Sequence, residues 1–344
     1  MVASTRLSSL GYSNSGFAVM VRRTGGDLES HFAGNGTDSH LSFGAGTRRS
    51  IRTIMTLASP GGTFLIGGDL PVHRLGYGTA RLVGDGAWGE PRDPEEARRV
   101  LRRAVELGVN LIDTADAYGP EIAERLIAEA LYPYPAGLVI ATKGGVTRQG
   151  PAKTEYVGRA GYLIQCVEMS LRRLRLERID LYQLHRIDSR TPLEESLGAL
   201  RRMQEQGKIR HIGLSEVTPA EIDEARKIVP IVTIQNRYSI ADRRHDQTLA
   251  WCEKRSIGFL PWYPMAAGRI LKVDHPSLDG LAAIARRRSA TPAQLTLAWL
   301  LHRSPVMIPI PGTSQVAHLE ENVASSALNL SAEEIAAIEE AIRV

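Results

Sequence analysis

The sequence predicts an α/β protein that folds as a (β/α)8 TIM barrel with a C-terminal helix and a disordered N-terminal extension. From Arg74 onward, short apolar segments alternate with amphipathic stretches of about ten to fifteen residues, which is typical of repeated β-α units. Eight such units can be counted, the number that closes a parallel barrel. Residues 1–60, in contrast, are rich in Gly and Ser and show no sustained period of 2 or 3.6.

The individual elements follow from local pattern. The eight predicted strands are Arg74–Tyr77, Asn110–Asp113, Leu138–Thr142, Leu181–Leu184, Ile209–Leu214, Ile231–Gln235, Gly258–Pro261 and Met307–Pro309. Helices are predicted between most pairs, among them Pro94–Leu107, with Asp93 as N-cap, and Glu121–Leu131. Ser331 opens a Ser-Ala-Glu-Glu sequence with the spacing of a capping box, so a last helix is predicted over Ala332–Arg343.

The same pattern divides the chain into an extension, residues 1–60, and one barrel domain, residues 61–344. Because the compact pattern begins near Thr63 and a methionine precedes it, we expect Met55 to be the start of translation and residues 1–54 an upstream extension. The rival interpretation is a flexible tail or weak targeting peptide, since arginines such as Arg22 and Arg48 lie among many Ser residues.

Composition excludes several classes of protein. Hydrophobic residues make up 43% and charged residues 23% of the chain, as in an ordinary globular protein. The sequence contains neither an apolar run long enough to span a membrane nor an export signal, so the expected compartment is the cytoplasm. Its 42 basic residues are dispersed and matched by 38 acidic ones, which does not favour nucleic-acid binding. Cys166 and Cys252 lack the spacing of metal ligands, so buried thiols and no metal site are predicted.

Polar side chains stand at the ends of three consecutive predicted strands. Asp113 ends strand two, Lys143 follows strand three and His185 follows strand four. Tyr118 lies in the loop after Asp113. Because the carboxyl ends of barrel strands meet at one rim, we expect these four side chains to converge. Lysine is also rare here, with six Lys against 36 Arg, and Lys143 is the first in the chain, which favours a specific role for it.

These residue types suit carbonyl chemistry. A tyrosine hydroxyl can donate a proton to a developing alkoxide, and a neighbouring ammonium held by a carboxylate would assist it. A neutral histidine could hydrogen-bond the same oxygen. Competing motifs fail, because the third glycine of a dinucleotide fingerprint beginning at Gly76 is replaced by Arg81. The sequence Gly213–Val217 likewise lacks the last glycine of a nucleophile elbow.

Several motifs occur in the order found in one known family. They are Asp-Thr-Ala-Asp-Ala-Tyr-Gly at 113–119, Lys143 after Ala-Thr, His185 in Asp-Leu-Tyr-Gln-Leu-His, Gly213-Leu-Ser, and Ile310-Pro-Gly-Thr-Ser with Glu321-Asn322. From about Thr63 to Val344 the chain resembles the aldo-keto reductases, and within them a bacterial branch that includes pyridoxal reductases. The resemblance implies a barrel that binds NAD(P)H without a Rossmann motif and reduces an aldehyde or ketone. It also implies Tyr118 as general acid, tuned by Asp113 and Lys143, with His185 orienting the carbonyl.

The resemblance also implies a cofactor site. According to this resemblance, Gly78 and Thr79 face the cofactor through their backbone. Ser215 and Gln235 bind the nicotinamide carboxamide, and Trp262 stacks on the nicotinamide ring. At the other end of the cofactor, Gly312, Thr313 and Ser314 receive the adenosine phosphate, and Glu321 and Asn322 contact the adenine side. Glu216 stands where the family usually has Asn. The resemblance implies NADPH as the cofactor, because members of the family commonly use it. NADH is the alternative, because the positions that commonly clamp the 2′-phosphate hold Gly312 and His318.

The substrate is expected to be a small carbonyl compound. Trp88, Tyr263 and Met265 are predicted to wall the pocket, which suits hydrophobic aldehydes or ketones, and pyridoxal is the first specific candidate. Two other functions are compatible with the same resemblance. One is a cofactor-binding regulatory subunit like those of potassium channels, with little turnover, and the other is a barrel with a decayed site.

Overall fold

The computed structural model describes residues 57–265 and 276–342. The predicted disordered extension and the alternative start at Met55 lie almost entirely outside these residues and stay predictions. At the beginning of the described part, Ala58 is buried and its N–H donates to the carbonyl of Leu107 at 3.1 Å. The hydroxyl of Ser326 donates to the carbonyl of Leu57 at 2.5 Å. The chain is therefore packed onto the barrel from residue 57.

The central sheet is parallel. The strands of the described chain are β1 (Thr63–Ile66), β2 (Leu70–His73), β3 (Tyr77–Gly78), β4 (Leu111–Asp113), β5 (Val139–Gly144), β6 (Val146–Gly150), β7 (Lys153–Tyr156), β8 (Ile179–Leu184), β9 (Ile209–Ser215), β10 (Ile231–Gln235) and β11 (Gly258–Phe259). Seven of them form one sheet in the order β11-β10-β9-β8-β5-β4-β3. Each corresponds to one of the first seven predicted strands, and β5 extends two residues further, so that Lys143 lies within the strand.

The eighth predicted strand, Met307–Pro309, closes the barrel without being a regular strand. Met307 forms a parallel bridge with Phe259 of β11. On the other side, the N–H groups of Gly76 and Gly78 donate to the carbonyls of Pro309 and Pro311 at 2.9 and 3.3 Å. Because proline has no N–H to donate, this segment cannot form a complete ladder. The predicted (β/α)8 barrel is thus confirmed, with an irregular closing segment in place of the eighth strand.

Helices pack around this barrel. They are α1 (Pro94–Glu106), α2 (Ile122–Leu131), α3 (Ala160–Leu174), α4 (Leu193–Glu205), α5 (Pro219–Arg226), α6 (Asp246–Glu253), α7 (Pro276–Arg287), α8 (Pro292–Arg303), α9 (Val316–Ala324) and α10 (Ala332–Ala341). The predicted caps are present: the Asp93 carboxylate accepts from the N–H of Glu96, and Ser331 and Glu334 form a reciprocal capping box. The two cysteines lie in α3 and α6, where both are buried as predicted.

Two antiparallel hairpins were not predicted. The hairpin β1–β2 buries Ile66 and Val72 against Leu111 and Leu181 in the amino-terminal parts of barrel strands. It therefore closes the end of the barrel opposite Asp113. The second hairpin, β6–β7, directly follows β5. No helix within residues 57–265 and 276–342 is long and apolar enough to cross a bilayer. The same residues contain no cluster of three or more His, Cys, Asp or Glu side chains suited to a metal ion.

Candidate active site

The barrel brings three of the four predicted catalytic side chains into direct contact. Lys143 on β5 is completely buried, and its Nζ donates to Asp113 Oδ1 on β4 at 2.6 Å and to the carbonyl of Thr114 at 2.7 Å. The third short contact of Nζ is with the hydroxyl of Tyr118 at 3.4 Å. The lysine therefore links a buried carboxylate to the tyrosine hydroxyl.

The surroundings of Lys143 favour its charged form. Burial opposes the charge, but the negative charge of Asp113 and the bonds to Asp113 and Tyr118 outweigh it, so the pKa of Lys143 is raised above its usual value. An ammonium group has three N–H donors. Two are used by Asp113 and the Thr114 carbonyl, which leaves the third for Tyr118. Lys143 is thus held as a cation that supports a negative charge on the tyrosine oxygen.

Two amides hold the other oxygen of Asp113. Its Oδ2 accepts from Gln183 Nε2 at 3.1 Å and from Gln235 Nε2 at 2.8 Å. Gln235 is a predicted contact of the nicotinamide carboxamide. Because its Nε2 also donates to Gln183 Oε1 at 3.4 Å, only its Oε1 atom is left for that role, as an acceptor. Gln183 was missed by the sequence analysis. The sequence feature that could have identified it is a polar residue inside an apolar strand, two positions before His185 at the strand end.

His185 follows β8, and its imidazole lies edge-on to Tyr118 with 6.0 Å between ring centroids. Burial lowers the pKa of His185 well below its ordinary value, and the positive charge of Lys143 acts in the same direction. The ring is therefore neutral at physiological pH. Its Nδ1 is buried and has no hydrogen-bond partner among the residues that the structure describes. A neutral imidazole next to Tyr118 can donate one hydrogen bond to a substrate oxygen.

These groups open into a cleft of about 770 Å³. It is lined by Gly78, Ala80, Arg81, Asp113, Tyr118, His185, Arg186, Ser215, Gln235, Trp262, Tyr263, Pro264, Met265, Ala293, Ile310, Pro311, Gly312, Thr313, Ser314, Gln315, His318, Glu321 and Asn322. All but three of the predicted site residues are in this lining. Lys143 lies beneath it. Thr79 also lies behind it, and both its N–H and its hydroxyl donate to the Asp113 carbonyl. Trp88 forms a bridge with Gly119 and lies outside the lining.

The far end of the cleft has features that fit a nucleotide. Asn322 is nine-tenths buried or more, and its Nδ2 has no hydrogen-bond partner in the described residues. A buried amide donor without a partner is costly unless a ligand satisfies it. Gly78 and Gly312 lie so close that a Cβ on Gly312 would come within 2.7 Å of the Gly78 carbonyl oxygen. These glycines allow β3 and the turn before α9 to approach each other along one wall of the cleft.

Arg81 adds a positive charge to the cleft that was not predicted from the sequence. The sequence analysis left His318 as the residue that could supply positive charge near the 2′-phosphate position. Arg81 lines the same cleft, and its Cγ lies 3.3 Å from the position of a Cβ on Gly312. Its signal was present in the sequence, because Arg81 follows the first barrel strand within three residues. A guanidinium is therefore available at this end of the cleft.

Glu216 and Trp262 are joined. The indole N–H of Trp262 donates to Glu216 Oε1 at 2.6 Å, and the backbone N–H of Arg237 donates to the same oxygen at 2.6 Å. Glu216 adopts a left-handed backbone conformation, with φ +56°. The residue that departs from the family pattern thus orients the predicted stacking tryptophan, a role that the sequence analysis did not foresee.

A tyrosine hydroxyl backed by a buried lysine–aspartate pair, at the carboxyl end of a parallel barrel, defines a barrel enzyme that handles an oxygen-bearing substrate. The chain belongs to the aldo/keto reductase family, whose sequence pattern matches residues 74–343. The resemblance inferred from the motifs is therefore confirmed. Membership of this family places the protein among the NAD(P)H-dependent oxidoreductases.

Individual relatives agree with this assignment. The chain is 47% identical over 283 residues to an uncharacterised oxidoreductase of Schizosaccharomyces pombe, covering 82% of this chain and 90% of the relative. It is 43% identical over 283 residues to pyridoxine 4-dehydrogenase of Escherichia coli, covering 80% and 97% of the two chains.

Among solved structures, the glycerol dehydrogenase of Gluconobacter oxydans is similar with a TM-score of 0.74 and 28% identity, over 82% of this chain and 95% of that one. An aldo/keto reductase of Klebsiella pneumoniae, solved with NADP and acetate, is similar with a TM-score of 0.70 and 27% identity, over 81% and 94%.

Proposed function

We propose that this protein reduces an aldehyde or ketone to an alcohol with NADPH, using Tyr118 as the general acid. The observation that carries the proposal is the contact of the Tyr118 hydroxyl with a charged, buried Lys143, itself bound to Asp113. A phenol supported by an ammonium can give up its proton to an alkoxide because the charge left behind is stabilised. The site is open to a cleft on the tyrosine side, where a carbonyl oxygen has access.

Each residue has a separate task in this proposal. A reduced nicotinamide, when bound, supplies the hydride to the carbonyl carbon. Tyr118 delivers a proton to the carbonyl oxygen, and neutral His185 donates a hydrogen bond to the same atom. Lys143 stabilises the tyrosine oxygen after the proton leaves, while Asp113 holds the lysine in place. Trp262, fixed by Glu216, offers a flat face against which the nicotinamide packs.

The cofactor is proposed to lie along the cleft, with its adenosine end at α9. Asn322 and Glu321 would hold the adenine, and the turn Gly312–Ser314 would receive the phosphate. Arg81 supplies positive charge there, which supports NADPH over NADH. A Klebsiella pneumoniae relative has been solved with NADP, in agreement with this choice.

Pyridoxal is the specific substrate that we propose to test first. An Escherichia coli relative is named pyridoxine 4-dehydrogenase, and oxidation of the 4-hydroxymethyl group of pyridoxine gives pyridoxal. Tyr263 and Met265 line the cleft beside Trp262 and provide an apolar wall for an aromatic ring. The cytoplasm is the compartment that we propose for this reaction.

The test is the oxidation of NADPH and NADH by the purified protein with pyridoxal and a panel of uncharged aldehydes and ketones. We expect alcohol to form in proportion to the NADPH consumed, with NADPH preferred. Binding of NADPH without turnover of any carbonyl would contradict the proposal and favour a regulatory subunit. Absence of both binding and turnover would favour a decayed site.

A further inference from the structure

Arg186 directly follows His185 and lines the same cleft. Its Nη1 donates to the carbonyl of His185 at 2.7 Å and to the hydroxyl of Ser215 at 2.9 Å. We propose that Arg186 binds an anionic group carried by the substrate, so that the preferred substrates are carbonyl compounds with a carboxylate, phosphate or phenolate. This inference rests on the proposed carbonyl reduction and specifies its substrate class.

The first argument is the charge at this end of the cleft. Arginine is always protonated in proteins, and no carboxylate oxygen in the described part of the chain lies within 4.0 Å of the Arg186 guanidinium. Of the other groups nearby, Asp113 is paired with Lys143, and His185 is uncharged. The Glu216 carboxylate is held by the N–H groups of Trp262 and Arg237. Arg186 therefore has no acidic ion-pair partner among the described residues, and its positive charge attracts an anion into the cleft.

A neighbouring arginine provides the contrast. Arg237 also lies near Trp262, with its guanidinium carbon 5.9 Å from the ring centroid, and the corresponding distance for Arg186 is 6.0 Å. Arg237 forms an ion pair with Asp242, whose Oδ2 lies 3.0 Å from its Nε and whose other oxygen pairs with Arg244. Only Arg186 of these two lines the cleft. Arg237 thus has an acidic partner, whereas the part of the chain that the structure describes provides none for Arg186.

The second argument is geometric. A guanidinium has five N–H donors, and the two bonds of Arg186 use only the donors on Nη1. The donors on Nε and Nη2 have no partner within residues 57–265 and 276–342. They lie on adjacent nitrogens in the planar fork that binds a carboxylate or phosphate with two parallel hydrogen bonds. Because Nη1 is fixed by His185 and Ser215, the fork is oriented before an anion binds.

A diphosphate of the cofactor is the other possible source of such an anion. In the sheet order, β8 and β9 lie across the barrel from the closing segment that leads to Gly312 and α9. Arg186 therefore lies opposite the turn and the charge of Arg81, which already suit the cofactor phosphates. It directly follows His185 and lines the same cleft as Tyr118, where the carbonyl is expected. This placement favours the substrate as the source.

The experiment compares benzaldehyde with 4-carboxybenzaldehyde and 2-carboxybenzaldehyde, which differ from it by one charge. For the natural protein we expect kcat/KM to be at least about tenfold higher for one of the acids than for benzaldehyde, as one charge-assisted bidentate contact would give. In Arg186→Gln we expect this ratio to fall close to one. In the control Arg237→Gln, which also removes an arginine near Trp262, we expect the ratio to persist.

Three results would overturn the inference: no preference for either acid in the natural protein, an unchanged preference in Arg186→Gln, or a weaker Kd for NADPH in that variant with the preference intact. The last result would assign Arg186 to the cofactor.

Failure of the carbonyl reduction is recognised separately, as absence of turnover with every aldehyde. In that case benzoate is titrated calorimetrically into the protein saturated with NADP. Binding that Arg186→Gln abolishes supports the anion site, and absent or unchanged binding overturns it.

Discussion

Strand β5 separates two buried clusters of side chains. Both contain a carboxylate paired with a basic residue, but only one of them lies at the cleft. Lys143 on one face belongs to an inner cluster with Asp113 and Tyr118. Thr142, the preceding residue, points to the other face, because successive side chains of a strand alternate. There the outer cluster consists of Asp116, Glu124, Thr142 and Arg173.

The outer cluster is packed between the barrel and helices α2 and α3. Glu124 is completely buried, with Oε2 2.6 Å from Arg173 Nε and Oε1 accepting from the Thr142 hydroxyl at 2.5 Å. None of its residues lines the cleft, whereas Asp113 and Tyr118 of the inner cluster do. A buried ion pair therefore does not identify a catalytic site by itself. The difference lies in a hydroxyl that faces a cavity large enough for substrate.

Replacement of Lys143 by Met should have the largest effect on activity. Without the ammonium the tyrosine oxygen loses its supporting charge, and we expect kcat to fall by about 10³-fold, while the Kd for NADPH changes little. Steady-state kinetics and a fluorescence titration of cofactor, on protein shown to be folded by circular dichroism, would measure both. A kcat within about tenfold of the natural protein would mean that Lys143 only fills space.

Replacement of Arg173 by Met tests the outer cluster. It leaves Glu124 buried without its partner, so we expect the free energy of unfolding to fall by about 3 kcal/mol, with kcat of the folded protein nearly unchanged. Urea denaturation measures the first and kinetics the second. Arg98→Met is the control, because Arg98 pairs with Glu95 on the exposed face of α1 and its loss should matter little. A large loss of kcat in Arg173→Met would show that the clusters are not independent.

A separate effect should appear in the pH dependence of stability. Burial, with the negative charge of Glu124, raises the pKa of Asp116 to about 7. The unfolded carboxyl has a pKa near 4, so the folded protein holds the proton more tightly between these values. The contribution of this carboxyl group to the free energy of unfolding is fully present below pH of about 4 and is lost as the pH rises through about 7.

In Asp116→Asn this part of the pH dependence should disappear, because the amide does not titrate. The free energy of unfolding of both proteins is measured in urea at several pH values. The value for the variant minus the value for the natural protein should increase from pH about 4 to about 7 and stay constant above that pH. Parallel curves throughout that window would show that Asp116 is ionised normally in the folded protein.

The sequence predicted the barrel and the inner cluster because both depend on local signals. Apolar segments mark the strands, and Asp113, Lys143 and His185 stand out at strand ends. The bonds from Gln183 and Gln235 to Asp113 join residues 70 and 122 positions apart, which no local pattern reveals. The irregular closing segment follows from Pro309 and Pro311, whose missing N–H groups an apolar pattern does not register.

Two other differences have physical causes. The hairpin β1–β2 was missed because its four-residue strands are too short to show a period, although Gly67 and Gly68 adopt positive φ in its turn. The role of Glu216 could not be predicted, because it depends on Trp262, 46 residues later in the chain. Contacts between distant strands thus decide how the site is supported, while the residues of the inner cluster could be predicted from the sequence.

The most direct test of carbonyl reduction at the inner cluster is the single-turnover rate of NADPH oxidation by Tyr118→Phe, measured with a saturating aldehyde. Removal of one hydroxyl leaves the packing of the ring intact and takes away only the proton donor. We expect the rate to fall by at least about 10²-fold, with the Kd for NADPH unchanged. A rate within about threefold of the natural protein would contradict the assignment of Tyr118 as the general acid.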